Sequence, residues 1–201
     1  MVTVIRNPGK ISMTEKDMHI FIAGIKHCGK TTLAERLANA MDIPYVDADS
    51  LMLQQIHPMT VRGYYRNVGK ECFQQTEADT LECYLSEVHA DSIVSLGGGA
   101  CENKTCMELC HRYGLLLYLN VGEQTLWERI IRDGIPPFLE TEDPRNTFHG
   151  LYLMRDGLYR KEADLIVDIP CGSSREATFE KVWNELKNRE EIWQAIPSEK
   201  H

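Results

Sequence analysis

The chain's 201 residues are 43% hydrophobic and 26% charged, which fits one soluble globular domain at roughly 150 residues per domain and excludes disorder and fibrous repeats. Lys and Arg total 22 against 30 for Asp and Glu, a net charge of -8, so a general nucleic-acid or anionic-membrane binder is disfavoured. Seven cysteines, an odd number in a chain too large to need covalent staples, point to reduced thiols and a cytoplasmic protein. Apolar runs such as 115–119 are far too short to span a bilayer.

Residues 1–17 form an N-terminal extension without the continuous apolar stretch or small-residue cleavage site of a secretory signal. Its Val2-Thr3-Val4-Ile5, Asn7-Pro8-Gly9 and Ile11-Ser12-Met13 pieces suit either a small hairpin or a tail. Over 18–195 short β-type runs alternate with helical patterns, as in one α/β domain whose parallel sheet is wrapped by helices, and 196–201 is left as a tail. Expected strands cover 19–24, 45–47, 92–96, 115–119 and 165–168, nearly all apolar, as strands covered on both faces should be. Expected helices cover 30–41, a stripe of Phe73, Glu77, Leu81, Tyr84, Leu85 and Val88, then 125–132, 147–161 and 175–189. Two stretches break this rhythm. Residues 50–70, with Pro58, Gly63 and Gly69, read as an insert capping one end of the sheet, and 133–146, with Gly134, Pro136, Pro137 and Pro144, as a mobile loop.

Three motifs carry chemistry. Gly24-Ile25-Lys26-His27-Cys28-Gly29-Lys30-Thr31 matches GxxxxGK[ST] between a strand and a helix. There glycines let main-chain amides approach phosphate oxygens, the helix N-terminus adds positive potential, Lys30 reaches the outer phosphates and Thr31 can ligate magnesium. Asp47-Ala48-Asp49 closes the second strand, where ligands of open α/β sheets gather. Alternation along an extended segment points both carboxylates the same way, so one could serve a metal and the other accept a hydroxyl proton. Capping of the helix that starts near Ser50 is the competing reading. Gly97-Gly98-Gly99 ends the third strand, either as a turn or as backbone that a substrate approaches closely. Cys101, Cys106, Cys110 and His111 lack the paired short-gap spacing of a zinc site.

In this order, with Arg155-Asp156-Gly157-Leu158-Tyr159 late in the chain, the motifs resemble those of the shikimate kinase family over about residues 20–168. Met59-Thr60-Val61 also resembles the opening of that family's substrate-binding segment. The resemblance implies a P-loop kinase fold with a five-stranded parallel sheet in the order 2-3-1-4-5, a substrate-binding insert and a lid. It implies ATP and Mg2+, with Gly24, Lys26, His27, Cys28, Gly29, Lys30, Thr31, Thr32 and Arg129 at the nucleotide and Arg129 against the adenine. Thr31 and Asp47 would hold the metal, and Lys30 and Asp49 would be catalytic, Asp49 as the base. Asp49, Gln74, Gly97, Gly98, Gly99 and Arg155 would form the substrate site, with Arg155 gripping a carboxylate.

Two positions depart from the pattern. Gln74 stands where the family's Phe-Arg-x-x-Glu motif has arginine, and Pro136 where the lid has arginine. Arg62 or Arg66 could replace the first cation, and Arg132 or Arg145 the second. The expected function is transfer of phosphate from ATP to a hydroxyl of shikimate, by a monomer acting on a small molecule and not on nucleic acid or membrane. A kinase for another small hydroxylated metabolite, such as a sugar acid, and a weakened nucleotide-binding regulatory relative remain as alternatives.

Overall fold

The computed structural model describes residues 2–3 by their backbone, 18–136 and 139–189. The readings at 4–17, at Pro137 and beyond 189 fall outside these residues.

Apolar runs with no polar face need cover on both sides, and the sheet receives it. β2 (His19–Ala23) and β4 (Ser92–Ser95) are buried along their whole length, and β5 (Gly114–Val121) is buried from Leu115 onward. β3 (Tyr45–Asp47) and β6 (Leu165–Ile169) complete the parallel set. Counting parallel strands alone, the order is 2-3-1-4-5. β2 is central, with Phe21 between Val94 and Leu116. β1 (Val2–Thr3) joins the far edge antiparallel, Val2 opposite Val167 and Thr3 opposite Ile166. These two residues of the extension therefore form a sixth strand. His19, inside the core, is satisfied by Ser92, its Nδ1 lying 2.8 Å from Oγ.

α1 (Lys30–Met41) turns Leu33, Ala34, Leu37, Ala38 and Met41 inward, the helical spacing that lays an apolar stripe on a sheet. The expected insert is built from α2 (Ala48–Ile56) and the start of α3 (Val61–Glu87). α3 is broken at Gly69, whose φ of 78° lies in the left-handed region. α4 (Lys104–Tyr113), α5 (Glu123–Asp133), α6 (Pro144–Glu162) and α7 (Arg175–Lys187) follow. In the expected mobile loop between α5 and α6, Leu139 is fully buried whereas Ile135 is exposed, so among the described residues there Leu139 is an apolar anchor. α6 is fixed to the sheet by Tyr159, which stacks on Tyr118 with ring centroids 4.9 Å apart and donates its hydroxyl to the Gly97 carbonyl at 3.3 Å. Among the described residues no helix is long and apolar enough to cross a membrane.

Candidate active site

The carboxyl ends of β2, β3 and β4 meet at one cleft of about 310 Å³, lined by Lys26, His27, Gly29, Lys30, Thr31, Thr32, Asp49 and Gly98. This is where an open parallel sheet gathers ligands, since each strand delivers a loop and a helix N-terminus there. Gly29 caps α1 with φ 97°. His27 also has positive φ, at 69°. A Cβ on Gly24 would lie 2.6 Å from Cys28 Sγ and 3.0 Å from the Leu119 carbonyl. The Cys28 side chain is buried beneath the loop, so any part it takes at the nucleotide falls to its main chain. Two groups from α5 tie the loop down. Arg129 Nη1 donates to the His27 and Cys28 carbonyls at 2.8 and 3.2 Å. Asp133 Oδ2 lies 3.1 Å from His27 Nδ1. Burial and nearby Lys26 hold the His27 imidazole below its ordinary pKa despite Asp133.

Asp47 caps a helix and also faces the phosphate loop. Its Oδ1 accepts from the Ser50 amide at 3.1 Å and caps α2. Its Oδ2 accepts from Thr31 Oγ1 at 3.4 Å, and that hydroxyl also lies 3.4 Å from Ser95 Oγ. These are hard oxygen donors beside a phosphate cradle, a set that fits Mg2+. Asp49 reaches the same cleft by a different route from the one expected. The strand ends at Asp47, and Asp49 sits in the first turn of α2, so strand alternation does not apply; the helix turn brings the two carboxylates together. Asp49 lines the cleft and is exposed to it, while partly shielded from solvent by the neighbouring protein. This desolvation and the charge of Asp47 hold its carboxyl above the usual carboxylate range, against the pull of Lys30 and Lys26.

The glycine triplet packs closely against four of the expected or neighbouring site residues. A Cβ on Gly97 would fall 3.1 Å from Asp49 Oδ1 and 3.3 Å from Glu77 Oε1; on Gly98, 3.0 Å from the Lys26 amide nitrogen; on Gly99, 3.0 Å from Arg155 Nη2. Burial raises the Glu77 carboxyl, and Asn103, donating to Glu77 Oε2 at 2.9 Å, partly restrains it. Gln74 is held by the neighbours of these groups: its Nε2 donates to the Glu102 main-chain carbonyl at 2.9 Å, and its own main-chain carbonyl accepts from Asn103 at 2.7 Å.

Sequence reasoning missed two neighbours of Arg155. Glu102 Oε1 accepts from Arg155 Nε and Nη2 at 2.9 and 2.8 Å, while its Oε2 accepts from Lys70 Nζ at 2.8 Å. Lys70 thus joins Arg155 on Glu102; like Arg62 and Arg66, it is exposed. Of the two lid candidates, Arg132 pairs with Asp133 and Arg145 with Glu123. The only local signal was that a half-buried arginine must find an anion.

The family described as shikimate kinase matches residues 26–187. Shikimate kinase of Rhizobium meliloti is 33% identical over 163 residues, covering 81% of this chain and 82% of its own. That of Dechloromonas aromatica is 30% identical, covering 81% and 87%. The structure of shikimate kinase from Acinetobacter baumannii in complex with shikimate superposes with a TM-score of 0.74 at 24% identity, covering 88% of this chain and 97% of that one. The ordered motifs, the strand order and the match across most of its length leave one assignment: this chain belongs to the shikimate kinase family.

Proposed function

We propose that this chain is a shikimate kinase, moving the γ-phosphoryl group of ATP to a shikimate hydroxyl with release of ADP. The observation that carries the reading is the placing of the Asp49 carboxylate in one cleft with Lys30 and Thr31, a proton acceptor beside a phosphate cradle. Catalysis of phosphoryl transfer is mostly positioning and charge neutralisation, and these residues can supply both. The loop amides and Lys30 hold the outer phosphates. Asp49 accepts the hydroxyl proton as the new P–O bond forms and the bond to the ADP oxygen breaks. Thr31 and Asp47 would hold Mg2+, which when bound adds positive charge at the phosphates. Arg155, above Gly99, faces the acceptor's carboxylate.

In this reading the α2 and early α3 region cradles the acceptor and 133–146 serves as the lid. All seven cysteines are free, which supports a reducing, cytoplasmic setting. ADP release measured against shikimate, gluconate and other hydroxy acids tests the proposal. Shikimate should give the highest kcat/KM; efficient turnover of another acid, or nucleotide binding with no acceptor-dependent turnover, overturns it.

A further inference from the structure

Glu102 lies between two cations. Its Oε1 takes two hydrogen bonds from Arg155 and its Oε2 takes one from Lys70. Burial alone would raise this carboxyl; the bonds from Lys70 and Arg155 reverse that and hold it below its usual range, so it is charged at any working pH. Glu102 and Arg155 are both mostly buried, at 18% side-chain exposure, whereas Lys70 is 54% exposed. The guanidinium that would grip an acceptor's acid group is therefore already engaged by a carboxylate of the chain itself.

The charges can be counted. Arg155 and Lys70 contribute two positive charges and Glu102 one negative charge, so, apart from Asp49 and Glu77 against Gly97 and Lys26 against Gly98, this triad carries a single net positive charge. One acidic acceptor would balance it, and a neutral polyol would leave it unbalanced. Lys70 follows Gly69, where α3 breaks, and lies one helical turn before Gln74 on the same face, so both reach Glu102, Lys70 at its carboxylate and Gln74 at its main-chain carbonyl.

We propose that Lys70 and Glu102 set acceptor specificity: Lys70 supplies the positive charge absent at Gln74, and Glu102 stands in the Arg155 fork as an internal surrogate for the acceptor carboxylate. When the acid binds, Glu102 yields Arg155 and stays paired with Lys70, so two cations face two carboxylates. This rests on the shikimate reading above and says which groups in this chain select the acid.

The test follows the charge count. Lys70→Met brings the set to zero, Glu102→Gln to plus two, and the double variant back to plus one. A charge-assisted hydrogen bond is worth roughly tenfold or more in affinity. Shikimate KM and dissociation constant should therefore rise about tenfold in Lys70→Met and fall by a similar factor in Glu102→Gln. Both should return near the starting value in the double variant, with kcat moving less than KM. The dissociation constant of the uncharged methyl ester should stay fixed throughout. If the pair served only to hold the fold, both single variants would weaken shikimate binding and the ester would weaken with it; that result, or no change in either variant, overturns the proposal. Shikimate turnover in the unaltered protein with variants that fail this pattern would remove the specificity proposal alone. No shikimate turnover or binding in any of the four proteins would remove the shikimate reading and this proposal together.

Discussion

Arg129 on α5 donates to the main-chain carbonyl of His27 at 2.8 Å, so the left-handed residue at the tip of the phosphate loop is held from the helix that precedes the proposed lid. The family resemblance places this arginine against the adenine, and the structure adds a second task on the loop itself. A loop whose amides must converge on phosphate gains from any bond that fixes its carbonyls pointing outward.

Arg129→Met should therefore raise the KM for ATP by about one to two powers of ten, the worth of hydrogen bonds from a charged donor. Amide exchange at residues 25–29 should quicken in the free protein. Steady-state kinetics with hydrogen exchange checks both. An unchanged exchange rate together with a raised KM would confine the role to the nucleotide.

Lys30→Ala removes one of the two lysines that line the cleft, the one that opens α1 at the phosphate loop. Loss of a donor aimed at developing charge typically costs about 10²- to 10³-fold in kcat. Lys30 opens α1 and lies partly exposed, so melting temperature should hardly move. Turnover assays and thermal melts separate the two effects.

The sheet was readable because its strands are short apolar runs covered on both faces, and the phosphate loop because its chemistry is contiguous in sequence. Helix ends shifted by a few residues for local reasons. α6 starts at Pro144, behind an Asp143 cap whose Oδ1 accepts from Asn146 at 3.0 Å, because proline suits a first helical turn. Tyr159 explains why the late Arg155 motif ends in tyrosine: one helical turn past the arginine, its bond to the Gly97 carbonyl sets Arg155 over Gly99. Glu102 and Lys70 were not readable. They stand 53 and 85 residues from Arg155 in the chain, and an exposed-looking lysine and a glutamate in a turn carry no periodicity; only the folded sheet brings them together.

The glycine triplet gives a graded prediction. At Gly98 an added methyl meets the Lys26 amide nitrogen at 3.0 Å and its Cα at 3.3 Å, all part of the phosphate-loop backbone, which cannot step aside cheaply. At Gly97 it meets carboxylate oxygens at 3.1 and 3.3 Å, the ends of side chains that can rotate. Gly98→Ala should cost about 1–3 kcal/mol of stability as an overpacked contact and impair ATP binding. Gly97→Ala should cost less stability and act mainly on the acceptor KM. Denaturant unfolding and kinetics on both variants check the order.

Asp49 links pH to both rate and stability. As the base it must be ionised, and its carboxyl is held above the ordinary value of 3.8 by burial and by Asp47, with Lys30 and Lys26 opposing. The acid limb of kcat/KM for shikimate, which reports the free enzyme, should therefore lie above the usual carboxylate range. It should move down in Asp47→Asn, which removes the like charge, and up in Lys26→Met, which removes an opposing one. Asp49→Asn should lower kcat by about 10²- to 10⁴-fold and abolish the limb. The stability effect has the opposite sign to the usual salt-bridged aspartate. A carboxyl whose folded pKa is raised binds its proton more tightly in the folded state, so its ionisation opposes folding as pH rises from the unfolded value through the folded one. Asp49→Asn should then melt at a higher temperature than the unaltered protein at neutral pH, with the difference vanishing below the unfolded carboxylate pKa. Melting curves across that range check it, and a lower melting temperature at neutral pH would mean that Asp49 is held by favourable contacts and is not poised as a base.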